Sequence, residues 1–522
     1  MKTLLILMAL SSVFLLVSCS YIDAEPYPAK ELTLQYVLDA AKARRESIIK
    51  PDYNIFRSLA DERVRLGEKW AEQYGEDYLL QLVVQSMVPG VQSQRISYYE
   101  AIADAETLLW LLRLTYGAYT YYGGDDVFVP LFNRIFEAFA EQDQWDAGDY
   151  GDFAEVLHRH LFEVVVDNHV HIGNRVLGAP DTWALSPLGV TEMPLGITAD
   201  FFVGTTSFER SENGFRCYAT SLYVTSIPER DIEEVFRLTI DDFGKLAYKP
   251  VIVIPGRSGL LSYSLTVTYE IGELEELLLL RHDSNQRRTV EQPSLVRRFG
   301  IPVVRIMRMG FYPNGADARQ FLAYAEELQN EPVVIIDLRS NMGGNNLLSA
   351  QFLHRLTGEI IPSNSVILNI GNHQQSMEGL AAAMPSYHPL YRPIEDFKVY
   401  HPTTPLGEGH FVWNYTADRL VPNEQLIVFL TDRYTMSAGE GFIDFSLNLQ
   451  NSLVIGQNTG GVFRKTGGPA YFLPNSGIMV GFGSGIVFHP DNQFPEGIGF
   501  APDIWAIGDA LDAALTLLLH TR

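Results

Sequence analysis

Two stretches of the chain constrain its fold more than any other feature. Val333-Val334-Ile335-Ile336-Asp337 is an apolar run ending in a single acid, and it passes straight into Leu338-Arg339-Ser340-Asn341-Met342-Gly343-Gly344. Leu426-Ile427-Val428-Phe429-Leu430-Thr431 behaves the same way, passing through residues 432–436 into Ser437-Ala438-Gly439-Glu440. Unbroken apolar runs of this length, bounded by turn residues, read as strands buried on both faces. The surrounding sequence supplies helices. From Pro302 onward, strand signals at 303–307, 333–337, 427–431 and 454–456 alternate with helix signals at 316–329, 347–357 and 437–449. The spacing predicts an α/β layered domain.

Upstream the texture differs. Residues 32–49, 61–74, 96–114, 129–142 and 152–165 carry apolar side chains at three- and four-residue spacing, which predicts helices. Gly123-Gly124 and the stretch 142–151 punctuate them. Between 196 and 290 the pattern turns to β alternation, at 201–203, 218–224, 251–254 and 264–269. The span 361–424 is long, Pro-rich and without periodicity, and reads as an insertion of the functional kind. The expected class is therefore multidomain α/β. A helical N-terminal region (31–175) precedes a β-rich middle domain (176–295) and an α/β catalytic-type domain (296–522) that carries the insertion.

The first residues read as a targeting signal. Met1-Lys2-Thr3 is a short basic start, 4–17 is almost wholly apolar, and Leu16-Val17-Ser18-Cys19 closes the run. This pattern predicts a secretory signal over 1–18, too short to anchor stably across a bilayer. The closing tetrapeptide resembles the lipobox of bacterial lipoproteins, whose Cys is acylated. The expectation is a lipid on Cys19, a polar tether over 19–30, and an exported protein of the cell envelope that touches membrane only through that lipid. Cys217 is the one other cysteine, so no disulfide framework is expected.

Composition narrows the partners. With 39 Lys+Arg against 63 Asp+Glu the formal charge is −24, and there is no basic surplus to displace counterions from nucleic acid. A hydrophobic fraction of 47% with 12% aromatics excludes wholesale disorder.

The chemistry concentrates at the ends of the two apolar runs. Gly343-Gly344 lets the backbone turn tightly and present bare N–H groups, which is what an oxyanion hole requires. Asp337, Arg339 and Asn341 are placed to brace that turn. Ser437 stands at a helix entry. It reads either as an N-cap, with Glu440 completing a capping box, or as a nucleophile whose oxyanion the Ala438 N–H and the helix dipole stabilise.

Three motifs in this order, D-x-R-x-N-x-G-G at 337–344, S-A-x-E at 437–440 and V-I-G-x-x-T-x-G at 454–461, resemble the C-terminal processing peptidases and tricorn-like serine peptidases, the tail-specific protease family. The resemblance implies a clpP/crotonase-like α/β core, a peptide or protein substrate and no cofactor. It implies Ser437 as nucleophile, with the N–H groups of Gly344 (or Gly343) and Ala438 as oxyanion donors. In the processing branch a Lys just beyond the T-x-G element is the base. Val462 stands there, leaving Lys465 as an alternative base. The tricorn-like branch uses a His that ends the helical segment, and Val166-Asp167-Asn168-His169 lies in that location. That branch also has an E-G-x-G-x-x-P-D element, reproduced at 496–503. The resemblance thus implies His169 as base, Asn168 in place of an orienting Ser, and Glu496 as the supporting acid. The middle domain stands where relatives often carry a PDZ domain, but it lacks a Gly-Leu-Gly-Phe loop, so tail recognition is not expected.

Two other readings remain open at this stage. Asp167-x-His169-x-His171 is also a zinc-binding strand pattern of amidohydrolases, since imidazoles at i and i+2 share one face of a strand; His158 and His160 lie nearby. Alternatively, Asn168 and Val462 mark an impaired peptidase that has become a binding lipoprotein.

Overall fold

The two apolar runs are neighbouring parallel strands in a mixed sheet of 14 strands. The structure is a computed structural model and describes residues 32–48, 53–177, 199–204, 207–211, 213–218, 220–228, 230–241, 244–255, 262–281, 289, 291–310, 316–363, 365–369, 411–413, 420–463, 470–483, 485–488 and 496–520. The chain from Thr33 to Arg522 clusters as a single unit. The expectations for 1–18, for Cys19, for Lys465 and for most of the insertion lie outside the described residues.

In chain order the strands of the large sheet are β1 (Ala199–Gly204), β2 (Phe208–Ser211), β3 (Gly214–Cys217), β4 (Tyr223–Ser226), β5 (Phe236–Ile240), β6 (Leu246–Pro255) and β7 (Ser262–Tyr269). They continue as β8 (Leu274–Arg281), β9 (Ser294–Arg298), β10 (Ile301–Arg305), β11 (Val333–Asp337), β12 (Leu426–Thr431), β13 (Ser452–Gly456) and β14 (Ile504–Ala506). In space they run β9-β10-β11-β12-β13-β14-β5-β6-β1-β8-β7-β4-β3-β2. From β10 to β5 every neighbour is parallel. β2 pairs back onto β6 through Tyr248 and Phe208, so the antiparallel half closes on itself. The middle segment is therefore stitched to the catalytic-type core: β5 pairs in parallel with β14, Trp505 opposite Thr239.

Helices cover the parallel half. α7 (Ala316–Glu327), α8 (Leu347–Thr357) and α9 (Ala438–Ser446) lie over it, and α10 (Ala510–His520) contacts β12 and β13. Their core includes Phe321 stacked on Phe352 at 4.1 Å, with Phe442 meeting both rings edge-on. The strands are apolar throughout because both faces are covered.

The N-terminal region folds as α1 (Leu34–Glu46), α2 (Tyr53–Tyr74), α3 (Glu76–Ser86), α4 (Tyr98–Thr115), α5 (Gly124–Phe139) and α6 (Asp152–Leu161). Ser97 and Glu100 open α4 with a reciprocal capping box. Gly123, at φ 100°, and Gly124 turn the chain into α5, the punctuation expected from the sequence. α3 lies within the expected helical region but was not singled out; its Leu-Leu-x-Leu-Val-Val run carries no clear helical period.

After α6 a hairpin, His171–Ile172 with Arg175–Val176, pairs with the strand Met479–Gly481. The core of the helical region accordingly includes Tyr471, Leu473, Val480 and Phe482 from the C-terminal part. This pairing carries residues 167–170 to the parallel sheet.

Candidate active site

β11 and β12 end side by side, and the loops that follow are laced together. Leu338 N–H donates to Leu430 O at 3.0 Å, and Met436 N–H to Asn341 O at 2.8 Å. Buried Asp432 accepts from the backbone N–H groups of Ser340 and Tyr434, both at 2.9 Å. Arg339 forks onto Asp337, Nε to Oδ1 at 2.7 Å and Nη2 to Oδ2 at 2.8 Å, and its Nη1 reaches Asp509 at 2.8 Å. Two parallel charge-assisted bonds fix the guanidinium in one plane. Asn341 Nδ2 donates to Ile306 O, and its Oδ1 accepts from Gly343 N–H, both at 2.9 Å. Asp337, Arg339 and Asn341 thus tie the glycine turn to β10, to α10's first turn and to the loop before Ser437.

The glycine turn lies against the serine. A Cβ on Gly343 (φ 95°) would stand 2.6 Å from Ser437 Cβ, and one on Gly344 (φ 136°) 2.0 Å from Met309 O. Both positions exclude a side chain on space and on backbone conformation. The two glycines differ in what their N–H groups do. Gly343 N–H is already given to Asn341, so it is not free to serve as an oxyanion donor. Gly344 N–H and Ala438 N–H have no acceptor among the described residues, and Gly344 is exposed.

Ser437 adopts φ 49° and ψ −117°, outside the regions an L-residue ordinarily occupies. Its Oγ lies 3.3 Å from His169 Nε2 across a sequence separation of 268 residues. Its N–H donates to Glu440 Oε2 at 3.0 Å. Glu440 does more than cap: it also accepts from Thr459 Oγ1 (2.6 Å), Gly461 N–H (2.8 Å) and Val462 N–H (2.8 Å). Burial pushes its carboxyl up to about 8, against the pull of those donors and with nearby Glu496 adding to the rise. The sequence offered Glu440 only as a capping residue. Its hold on 459–462 joins residues far apart in the chain and leaves no local signature.

His169 sits in a turn just before the hairpin. Its N–H donates to Asp167 Oδ1 at 2.8 Å, and Asp167 Oδ2 accepts from Tyr116 OH at 2.7 Å. Asn168 N–H donates to Glu496 Oε1 at 3.1 Å, and its side-chain Nδ2 makes a long contact of 3.4 Å to Gly461 O. Oxygens of Asp167 and Glu496 and a ring nitrogen of His169 all lie within 4.8 Å of one another. The E-G-x-G-x-x-P-D segment is zipped to the T-x-G loop through Gly497 N–H to Gly461 O (2.8 Å) and Phe500 N–H to Thr459 Oγ1 (2.7 Å). That zipper delivers Glu496.

The zinc-strand reading does not fit this geometry. His169 is on a turn, and His171 pairs with Gly481 in the hairpin, outside the group formed by Asp167, His169 and Glu496. The sheet is an open parallel stack joined to an antiparallel ring, and no βα barrel is present among the described residues. His158 Nε2 bonds Val176 O at 2.9 Å, and His160 faces Glu163 at 3.5 Å. Both serve the packing of α6.

A serine at a strained helix entry, an imidazole in reach of its hydroxyl and two open N–H groups beside it define a serine-hydrolase layout. Residues 300–506 match the model of peptidase family S41, so this part of the chain is similar to that family of serine peptidases. No curated protein matches the sequence. Similar solved structures include mature CPAF complexed with lactacystin, at 13% identity and TM-score 0.43, covering 81% of this chain and 98% of that one. Others are the photosystem II D1 C-terminal processing protease (12%, TM-score 0.32, 78% and 92%) and a putative S41 protease from Bacteroides fragilis (12%, TM-score 0.32, 70% and 90%).

Proposed function

We propose that the protein is an endopeptidase that cleaves peptides or unfolded protein segments through an acyl-enzyme at Ser437, with His169 as general base. His169 Nε2 takes the Ser437 proton as Oγ attacks the scissile carbonyl. The oxyanion is met by the N–H groups of Gly344 and Ala438, and His169 then returns the proton to the leaving amine. Water repeats the sequence on the acyl-enzyme. Glu496, through the backbone of Asn168, helps hold the His169 turn and adds negative charge beside the imidazole.

The observation that carries this reading is the 3.3 Å approach of His169 Nε2 to Ser437 Oγ. Val462 strengthens the choice of His169 over a lysine base, because its buried N–H is tied to Glu440. The test compares three variants on labelled casein and with a fluorophosphonate probe. S437A is expected to lose both hydrolysis and labelling, with folding intact. H169A is expected to lose far more activity than K465A. The opposite ranking removes His169 from the mechanism. A folded wild type inert to both reagents favours the binding-lipoprotein reading.

We further propose that the chain is exported and held at a membrane by acyl chains on Cys19, a reading supported by the run 4–19. C19A is expected to appear in the soluble fraction, still active. Sedimentation of that variant with membranes would refute the lipid anchor.

A further inference from the structure

We propose that Asp167, clamped by Tyr116, is the positioning residue that aims His169 at Ser437 and stabilises its cationic form. This rests on the reading of His169 as base. The resemblance put residue 168 in the orienting role, but Asn168 does not fill it by its contacts. Its backbone N–H goes to Glu496 and its side-chain amide to Gly461 O. Asp167 is better placed. It is fully buried, and one oxygen accepts the His169 N–H two residues on, a bond that shapes the turn carrying the imidazole. The other oxygen is held by Tyr116 OH at 2.7 Å.

The clamp comes from the C-terminal end of α4. Tyr116 is the helix's C-cap, itself fully buried, and its ring stacks on Tyr122 with 12° between planes. Tyr122 OH donates to Val166 O at 2.7 Å. Two tyrosines, one capping α4 and one in the turn that leads to α5, thus grip two consecutive residues, 166 and 167, and set where the turn begins. Charge adds to position. A carboxylate oxygen of Asp167 lies within 4.8 Å of a His169 ring nitrogen. An opposite charge at this range raises an imidazole pKa by about one unit or more. It also stabilises the imidazolium that forms as Ser437 attacks.

The experiment is the rate of fluorophosphonate labelling of Ser437 as a function of pH, in the full-length protein. In the wild type the acid limb reports deprotonation of the base. D167N is expected to move that limb about one pH unit lower, and to cut the plateau rate tenfold or more. Y116F keeps the charge but removes the clamp. It is expected to lower the plateau severalfold with the limb unmoved and circular dichroism unchanged. An unshifted limb in folded D167N overturns the proposal, and so does a wild-type plateau in Y116F, which also decides the matter if D167N fails to fold. A labelled wild type with either of those results leaves Ser437 and His169 standing, whereas an unlabelled wild type fails the nucleophile assignment and this proposal with it.

Discussion

Ser437 holds a backbone conformation that costs on the order of 1–3 kcal/mol, and its neighbours account for its persistence. Gly343 packs against its Cβ, Glu440 accepts its N–H, and Ser340, in the facing loop, has positive φ too. Ser437 and Glu440 form the capping box that the sequence offered, and the same Ser437 Oγ lies 3.3 Å from His169 Nε2, so the cap and the approach to the imidazole meet at one residue. The same residue-level reasoning applies to Glu496. Glutamine keeps an oxygen for the Asn168 N–H but removes a charge within 4.8 Å of the imidazole. E496Q is therefore expected to lose turnover by tenfold or more, with KM nearly unchanged and the melting temperature close to wild type. Normal turnover would reduce Glu496 to a backbone acceptor. Ser437 and His169 were legible because a motif order carried them. Asp167 drew notice only as a zinc ligand, since its bond to Tyr116 spans 51 residues and leaves no spacing to read.

At the scale of elements, α9 is tied to the 459–462 loop through one buried acid. Glu440 in its first turn keeps its proton up to about pH 8 in the folded protein, whereas an unfolded chain releases it near the ordinary value of 4.5. Between those values the unfolded state binds fewer protons, so stability falls as pH rises and levels off outside the window. Melting temperatures between pH 5 and 8 are expected to decline more steeply for the wild type than for E440Q, whatever constant loss the amide brings. Parallel curves would show that Glu440 titrates normally. Elements were read from sequence to differing depth. β11 and α8 have the bounds expected, because an apolar run meets Asp337 and Gly358 punctuates the helix end. β8 falls within the expected β-rich stretch 196–290 but was not singled out: Leu274–Arg281 is built of Leu and Glu, good helix formers, and pairing with β7 and β1 overrides that preference.

Across the whole molecule, distant segments converge on the strands behind the site. Arg45 of α1 is buried, and its Nη2 pairs with Asp503 at 2.7 Å while Nη1 donates to Ser452 O at 2.9 Å. Asp503 also accepts from Val454 N–H at 2.8 Å and from Arg44 at 2.7 Å. The first described helix is thereby bolted to β13 and to the segment that starts at Glu496. Removing Arg45 takes away the buried partner and leaves Asp503 to the part-exposed Arg44, so R45A is expected to lose up to about 3–5 kcal/mol in denaturant unfolding. R45M, which refills the space, is expected to lose less than R45A, since Arg44 and the Val454 N–H still meet the Asp503 charge. A loss below about 1 kcal/mol in R45A would mean that Arg44 and solvent suffice to hold the Asp503 charge. This architecture was only half legible. The alternating texture gave the layers, but nothing local announces that β5 docks beside β14, because parallel neighbours distant in sequence share no turn.

That docking has a consequence for the order in which the enzyme comes into being. Chains leave a ribosome or a translocation channel from the N-terminus, at about 5–20 residues per second during synthesis. His169 emerges first, and Ser437 follows 268 residues later. The strand that joins the two halves of the sheet, β14, follows later still, at 504–506. For tens of seconds at that pace, every partly emerged chain holds an imidazole with no hydroxyl to activate, and then a hydroxyl on a sheet not yet joined. On the mechanism proposed above, Ser437 and His169 would thus be kept apart in the nascent chain by topology alone until the last strand of the sheet is seated.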